Sequence, residues 1–204
     1  MRKPTTRSTI LMVARTLFAR HGYDGTSMER IARGVGVRKA SLYAHFPGKQ
    51  ALFREVFDGV LHEYRTHLEK TALLPRGDAP IQKGLAGIFG TYVGYFADPD
   101  AMSFWYRAFM SPPQFMKQEI TESTMQVEST FVDRLTGLFR ESMKEGRLRP
   151  QSPSRVSMAF YQMLVGFGMT VAYSPRMNVS RLVRECLDVL WQGIGPSGAR
   201  REGG

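Results

Sequence analysis

The chain has 204 residues, of which 43% are hydrophobic and 23% charged, a composition of folded globular proteins that excludes a wholly disordered chain. Its formal net charge is +10, and residues 1–58 carry +7 of it, from eleven Lys and Arg against four Asp and Glu. This excess favours a polyanionic partner for the N-terminal part of the chain. The single cysteine, Cys186, excludes an intrachain disulfide.

Membrane insertion is not expected from the distribution of apolar residues. No apolar run approaches the roughly 20 residues that a membrane-spanning helix needs. Arg15 and Arg20 interrupt the apolar residues near the N-terminus, which argues against a signal peptide. We therefore expect a soluble, cytoplasmic protein with no membrane partner.

The N-terminal part is predicted to contain four helices, because apolar residues recur there at helical spacing between breaks rich in glycine and proline. Thr6 is a candidate N-cap of the first helix, and Ser27, or Thr26, of the second. The four predicted helices extend over about residues 7–21, 28–35, 38–45 and 49–71.

The C-terminal part is predicted to add five helices after a turn-rich linker, "LLPRGDAP", at residues 73–80. Ser111-Pro112 and Ser152-Pro153 each pair an N-cap residue with a proline suited to the first helical turn. The five predicted helices extend over about residues 81–97, 98–109, 112–144, 153–173 and 179–192. Residues 195–204 are expected to form a frayed tail. No segment has the pattern of a strand, so the predicted fold class is all-α, with about nine helices.

The second and third helices have the spacing of a helix-turn-helix. Ala32 is small enough for a close helix crossing, Gly36 gives the turn a positive φ without strain, and Leu42 is buried between the helices. The third helix begins with Arg38 and Lys39, where the helix dipole disfavours each cation by ~0.3–1 kcal/mol. A bidentate contact with a base offsets this cost, since it contributes ~1–3 kcal/mol of discrimination. The pattern predicts a helix that enters the major groove of DNA; the alternative is that both cations are simply solvated.

The same segment, roughly residues 6–60, resembles the TetR family of repressors. The resemblance is carried by Ile10-Leu11, Ala14, Leu17-Phe18, Gly22-Tyr23, Thr26-Ser27-Met28, Ile31-Ala32, Gly36-Val37, Leu42-Tyr43, His45-Phe46, Lys49 and Leu52-Phe53. It implies a helix-turn-helix DNA-binding domain at residues 1–60 and an effector-binding and dimerisation domain at residues 61–204. It also implies a homodimer that binds a near-palindromic operator in double-stranded DNA and is released by a small molecule.

The resemblance further implies which residues touch DNA. Base-reading positions are Arg38, Lys39, Ala40 and Ser41. Phosphate-binding positions are Thr26, Ser27, Tyr43, His45 and Lys49, and hydroxyls, helix-start N–H groups and lysine all suit phosphate. The alternatives are that the ring of Tyr43 packs on its own domain and that His45 forms a local cap. Where the family often has Ser or Thr, this chain has Arg38, which cannot accept from helix N–H groups, so the third helix is expected to lack a side-chain cap.

Aromatic and methionine side chains crowd the C-terminal part, more densely than one helix face can bury against one neighbour. This surplus predicts an internal pocket for a largely apolar or aromatic effector, although each residue alone is better explained by the core. The predicted pocket residues are Phe89, Tyr92, Phe96, Trp105, Phe109, Met125, Phe131, Phe160, Met163 and Phe167. The last two helices have wide apolar stripes, which predict a dimer interface at Leu182, Cys186, Leu187 and Leu190.

Two other functions compete with a ligand-responsive repressor. A helical enzyme is disfavoured, because His21, His45, His62 and His67 all lie in the first third of the chain and no metal-binding or catalytic histidine motif occurs in the aromatic part. A DNA-binding regulator without an effector remains open, and an empty cavity would distinguish the two. No cofactor and no metal are expected.

Overall fold

The computed structural model describes residues 7–71, 80–96, 99–173 and 179–196. The Thr6 cap, residues 73–79 of the predicted linker and residues 197–204 of the predicted tail lie outside these ranges. Every regular element within them is a helix, so the predicted all-α class with nine α-helices is confirmed. The elements are α1 (Arg7–His21), α2 (Met28–Val35), α3 (Lys39–Tyr43), α4 (Lys49–Thr71), α5 (Ile81–Phe96), α6 (Pro99–Met110), a 3-10 helix (Gln114–Met116), α7 (Lys117–Lys144), α8 (Pro153–Tyr173) and α9 (Val179–Ile194). Among the described residues, no helix combines the length and apolar character required to cross a bilayer.

Two predicted helix bounds were wrong. The third helix has five residues instead of about eight, because the chain leaves the helix after Tyr43, ahead of Pro47. The predicted helix start at Ser111-Pro112 is also displaced, since Pro113 is extended, with φ −62° and ψ 136°. A residue that precedes a proline is disfavoured in the α conformation, so Pro112 cannot begin a helix in front of Pro113.

The described residues fall into two compact units. Unit 1 comprises residues 1–65 and 98–125, and unit 2 comprises residues 66–97 and 126–204, each as far as it is described. The chain passes from one unit to the other within α4 and within α7. The functional division at residue 60 stays a prediction.

Unit 1 is built from α1 to α3, most of α4, α6 and the start of α7. Its interior is aromatic: the ring of Phe53 lies 5.0 Å from that of Phe18 and 5.8 Å from that of Phe104, measured between ring centroids. Tyr64 and Trp105 are packed edge to face at 5.1 Å. Edge-to-face and offset pairs are the favoured arrangements of aromatic rings, so these contacts hold the two chain segments of unit 1 together.

Unit 2 is formed by the end of α4, α5, most of α7, α8 and α9, with α5 packed against α8 and α9. Phe89 on α5 is fully buried between Phe160 at 6.1 Å and Phe167 at 5.1 Å, both on α8. A polar contact accompanies these rings, where the hydroxyl oxygens of Thr136 and Ser157 are 2.6 Å apart. The unit is therefore a layer of helices joined mainly by apolar and aromatic contacts.

Candidate nucleic-acid interface

Two glycines near the end of α2 have different structural roles. Gly36 has φ 80°, and its N–H donates to the carbonyls of Ala32 and Arg33, which ends α2 in a left-handed cap. Gly34 serves a different purpose: a Cβ placed there would lie 2.8 Å from Cγ1 of Val13 on α1. The sequence predicted the role of Gly36 but missed the close approach at Gly34, which depends on a contact between helices.

The start of α2 separates the two predicted phosphate ligands Thr26 and Ser27. Ser27 is the exposed N-cap, and its hydroxyl oxygen accepts from the N–H of Arg30 at 3.1 Å. Thr26 is 1% exposed, and its hydroxyl lies within hydrogen-bonding distance of the carbonyls of Leu17 and Gly22. A side chain buried in this way closes the α1–α2 turn, so its placement argues against the phosphate contact predicted for Thr26.

The recognition helix α3 has one buried face and one exposed face. Leu42 is fully buried, whereas the predicted base-reading residues of α3 are all exposed, together with Arg38 in front of the helix. Tyr43 is 48% exposed, so about half of its surface is open to solvent and its proposed phosphate contact stays a prediction. Arg38 occupies the N-cap position in an extended conformation and its side chain makes no cap hydrogen bond, as its chemistry predicts.

Lys49 at the start of α4 is bonded within the chain. Its ammonium donates to the carbonyl of Tyr23 at 2.9 Å and lies 3.9 Å from the centroid of the Tyr23 ring. Burial, and then the charge of Asp24, raise the pKa of the Tyr23 phenol. An ammonium has three N–H donors, so a phosphate contact by Lys49 would add to these bonds. The contact with Tyr23 is a cation–π interaction that the sequence pattern did not reveal.

Two ion pairs join α1 to α4. Arg7 donates from Nε and Nη2 to the two carboxylate oxygens of Glu55, and Arg15 donates from Nη1 to both oxygens of Glu63 at 3.0 and 2.8 Å. Each pair spans 48 residues of sequence, and the two pairs are eight residues apart on both helices, so α1 and α4 lie parallel in this contact. Arg7 also donates from Nη1 to the carbonyl of His45 at 2.9 Å, and its guanidinium lies 4.4 Å from the Phe46 ring centroid.

The other end of α1 is covered by α6. Arg107 donates from Nε to the carbonyl of Ala19 at 2.7 Å and from Nη2 to that of Arg20 at 2.9 Å. A cation at a helix C-terminus stabilises the negative end of the helix dipole. Partial desolvation, followed by the charges of Arg30, Arg107 and Arg20, lowers the pKa of His21. Sequence reasoning missed Arg107, since 87 residues separate it from Arg20.

The predicted pocket residues are divided between the two units. Seven lie in unit 2: Phe89, Tyr92, Phe131 and Phe160 are buried, and Phe96, Met163 and Phe167 are half-buried. Three lie in unit 1: Trp105 is buried, Phe109 is 42% exposed and Met125 is 62% exposed. The structure therefore does not gather all ten around one interior, and the assignment of each to a ligand pocket stays a prediction.

A polar group that sequence reasoning missed lies among the rings of unit 2. Tyr161 on α8 is 6% exposed, and its ring centroid lies 6.3 Å from that of Phe131. Burial raises the pKa of the Tyr161 phenol, and the Glu128 carboxylate, which is hydrogen-bonded to it, raises it further. Glu128 precedes Phe131 by three positions on α7, so the two side chains share a helix face. This spacing is the feature of the sequence that could have indicated a carboxylate beside the aromatic rings.

The predicted dimer residues lie on α9. All four, Leu182, Cys186, Leu187 and Leu190, are half-buried in the single chain. Val189, on another face of the same helix, is 69% exposed. Partial exposure of an apolar stripe leaves surface that a second copy could cover, so the interface stays a prediction.

Comparison with known proteins identifies the N-terminal part most sharply. Residues 10–56 match the family model described as bacterial regulatory proteins, tetR family. The biofilm operon icaADBC HTH-type negative transcriptional regulator IcaR of Staphylococcus epidermidis is 26% identical over 59% of this chain. IcaR of Staphylococcus aureus is 48% identical over 40 residues, 20% of this chain. The match spans 62% of the length of the first relative and 22% of the second.

Solved structures share the fold along nearly the whole chain. SmeT, the repressor of the Stenotrophomonas maltophilia multidrug efflux pump SmeDEF, is similar with a TM-score of 0.69 and 20% identity, over 98% of this chain and 96% of that one. A SmeT–triclosan complex gives a TM-score of 0.70 at 20% identity, over 97% and 95% of the two chains. The ketosteroid transcriptional regulator KstR2 of Mycobacterium tuberculosis gives 0.66 at 17% identity, over 96% and 98%. The helix-turn-helix segment, residues 10–56, therefore belongs to the TetR family of bacterial regulatory proteins, and the described helices share the fold of these regulators.

Proposed function

We propose that the protein is a transcriptional repressor that binds operator DNA through α2 and α3. The observation that carries this proposal is the division of α3: Leu42 is fully buried and fixes the helix to its domain, while Lys39, Ala40 and Ser41 are exposed on the outer side. A helix held by one apolar residue and exposing cationic and hydroxyl groups suits the major groove, where side chains meet base edges.

The charge of this segment supports a polyanionic partner. Residues 1–58 carry +7 of the total +10, and Arg38, Lys39 and the exposed Ser27 N-cap lie at the starts of α2 and α3. Cations and helix-start N–H groups bind phosphate oxygens, which supplies affinity and orientation without sequence information. In the proposal, Ser27, Tyr43, His45 and Lys49 bind phosphates, and the exposed residues at positions 38–41 recognise bases.

Repression, as opposed to activation, is proposed from the names of the relatives. IcaR is named as a negative transcriptional regulator and SmeT as a repressor. A repressor of this family would act as a homodimer on a near-palindromic operator, because two recognition helices related by a twofold axis meet two symmetric half-sites. The half-buried leucines of α9, with Cys186, are the proposed dimer contact, and residues 61–204 the proposed effector-binding and dimerisation domain.

Release by a small, largely apolar or aromatic molecule is the finer part of the proposal. The interior of unit 2 is rich in aromatic rings, including the buried Phe89, Tyr92 and Phe131. Aromatic and apolar side chains are also what surround most bound small molecules, and one structural neighbour, SmeT, was solved in complex with triclosan. All four histidines lie at or before position 67, so the rest of the chain offers no histidine for catalysis. A regulator is thus favoured over an enzyme.

Selection from a pool of random duplexes, followed by binding titrations over a range of salt concentrations, tests the proposal. We expect one enriched near-palindromic sequence and a log–log salt slope of about −5 to −9 for the dimer, if each half-site engages ~3–5 phosphates. Lys49→Ala should weaken binding to all sequences alike, whereas Lys39→Ala or Ser41→Ala should also change the sequence preference. Equal affinity for every sequence, or a slope near zero, would exclude operator recognition.

A further inference from the structure

We propose that Arg7, the first residue of α1, is a positioning residue that sets the orientation of the recognition helix by binding the backbone directly after it. Nothing in the helix-turn-helix pattern assigns this position a function, and the proposal rests on the proposed binding of operator DNA. Arg7 would act through His45 and Phe46 instead of through a base. Its effect should therefore depend on the geometry of its contacts and not on its charge.

The contacts of Arg7 converge from three directions. Nη1 donates to the His45 carbonyl at 2.9 Å, and the guanidinium lies 4.4 Å from the ring centroid of the buried Phe46. Nε donates to Glu55 at 2.8 Å, and Nη2 donates to the second oxygen of the same carboxylate. One planar group thus links α1, the segment that follows α3, and α4, and its fork of donors is the property that lysine lacks.

The recognition helix needs such support because it is short. α3 has five residues, fewer than the eight of α2, and its N-cap Arg38 makes no side-chain cap bond. Short helices gain little from their own hydrogen bonds, so their orientation depends on tertiary contacts. Leu42 holds one side of α3, and Arg7 holds the chain two residues beyond Tyr43. A shift there would move the side chains of Tyr43 and His45 together.

A substitution at Glu55 tests the proposal by the direction in which DNA affinity changes. Glu55→Gln removes one negative charge near the proposed DNA surface, and by electrostatics alone it should tighten DNA binding. If Arg7 instead positions α3, loss of the carboxylate frees Arg7 and should weaken binding to the operator. The two explanations therefore predict opposite changes for one substitution.

The chain offers a matched control on the same two helices. Arg15 and Glu63 form the same kind of ion pair, eight residues further along α1 and α4. Arg15 donates from Nη1 to both carboxylate oxygens of Glu63, and neither bond involves α3. Glu63→Gln repeats the charge change of Glu55→Gln, and Arg15→Lys repeats the substitution Arg7→Lys.

The experiment measures the affinity of the full-length chain for the selected operator duplex and for a duplex of scrambled sequence. We expect Glu55→Gln and Arg7→Lys each to lower operator affinity about tenfold. Affinity for the scrambled duplex should stay within about twofold of the wild type, since its phosphate contacts do not require an aligned α3. Glu63→Gln and Arg15→Lys should retain the operator preference of the wild type.

Stoichiometric titration gives the active fraction of each variant, so partial unfolding is separated from a change in preference. Tighter or unchanged operator binding by Glu55→Gln would overturn the proposal, as would an equal loss in Glu63→Gln. Full operator affinity of Arg7→Lys would show that only its charge matters and would also overturn it. A wild-type chain that does not distinguish operator from scrambled DNA would instead remove the proposed function, and the positioning role with it.

Discussion

The helix-turn-helix of unit 1 and the interior of unit 2 are held together by different kinds of contact. Around α3, directed polar bonds set the geometry: Arg7 and Lys49 each donate to a backbone carbonyl, and Thr26 bonds the turn before α2. Inside unit 2, rings such as Phe89 and Phe160 pack against one another. Hydrogen bonds have strict distances and angles, whereas ring packing tolerates several arrangements. This difference fits the proposal that the first region meets a fixed operator and the second a small molecule.

The largest effect should come from deleting a ring in unit 2. Phe160 is fully buried, so Phe160→Ala is expected to lower the free energy of unfolding by about 3–5 kcal/mol, the usual cost of emptying a packed aromatic site. Chemical denaturation at one fixed protein concentration measures it. Met158→Ala on the same helix is the control, because Met158 is 47% exposed. A loss below about 1 kcal/mol would mean that Phe160 borders open space, which would sharpen the case for a pocket.

The next effect concerns the close helix contact in unit 1. Gly34→Ala should destabilise the protein by about 1 kcal/mol, because the new Cβ lies 2.8 Å from Val13 Cγ1 and overpacking outweighs the better helix propensity of alanine. Gly59→Ala on α4 is the opposite case, since a Cβ there meets nothing within 4 Å, and it should stabilise. Adding Val13→Ala to Gly34→Ala should recover part of the loss in thermal denaturation. Equal effects of the two glycine substitutions would mean that the helices can move apart freely.

A smaller effect is expected at the C-terminus of α1. Arg107→Gln removes the guanidinium that bonds the carbonyls of Ala19 and Arg20. We expect a loss of about 0.5–1.5 kcal/mol, the net value of such bonds. The exposed ion pair of Arg54 with Glu119 provides the comparison, and Arg54→Gln should lower the free energy of unfolding by less. If Arg54→Gln lowers the free energy of unfolding by as much, the position of Arg107 at a helix end adds nothing to its contribution to stability.

The smallest expected effect is a dependence on pH in unit 2. His67 binds the carbonyl of Thr91 through Nε2 at 2.9 Å, and its ring lies 4.8 Å from that of Tyr95. Burial first, and also the charge of Lys70, lower its pKa, although the bond to Thr91 acts in the opposite direction. The unfolded chain then takes up a proton below about pH 6.5 that the folded chain resists, so stability is complete above that pH and falls as the pH drops towards the folded pKa.

The variant His67→Gln, which keeps an N–H donor, should therefore show a flatter stability curve between about pH 7.5 and pH 5.5 than the wild type. Guanidinium denaturation at a series of pH values provides the measurement. Identical slopes in variant and wild type would assign any pH dependence of unit 2 to other groups.

The sequence predicted the helices well because periodicity and breakers are local. It located α4 and the turn at Gly36, and it predicted the missing cap at Arg38, all from residues close in the chain. It did not reveal that Thr26 is buried against the carbonyls of Leu17 and Gly22, and it missed Arg107, which reaches α1 across nearly half the chain. The aromatic residues were recognised as a group, but composition could not divide them between two units or separate core from pocket.

Unit 1 is discontinuous along the chain, and this matters for exchanging parts between regulators. The ring of Phe53 packs against Phe104 and near Phe115, which come from residues 98–125. A chimera that borrows only residues 1–65 would leave those ring contacts, and the carbonyls that Arg107 binds, to whatever the host supplies. A chimera that also carries α6 and the 3-10 helix would keep these contacts. The unit to transfer therefore consists of two separate chain segments.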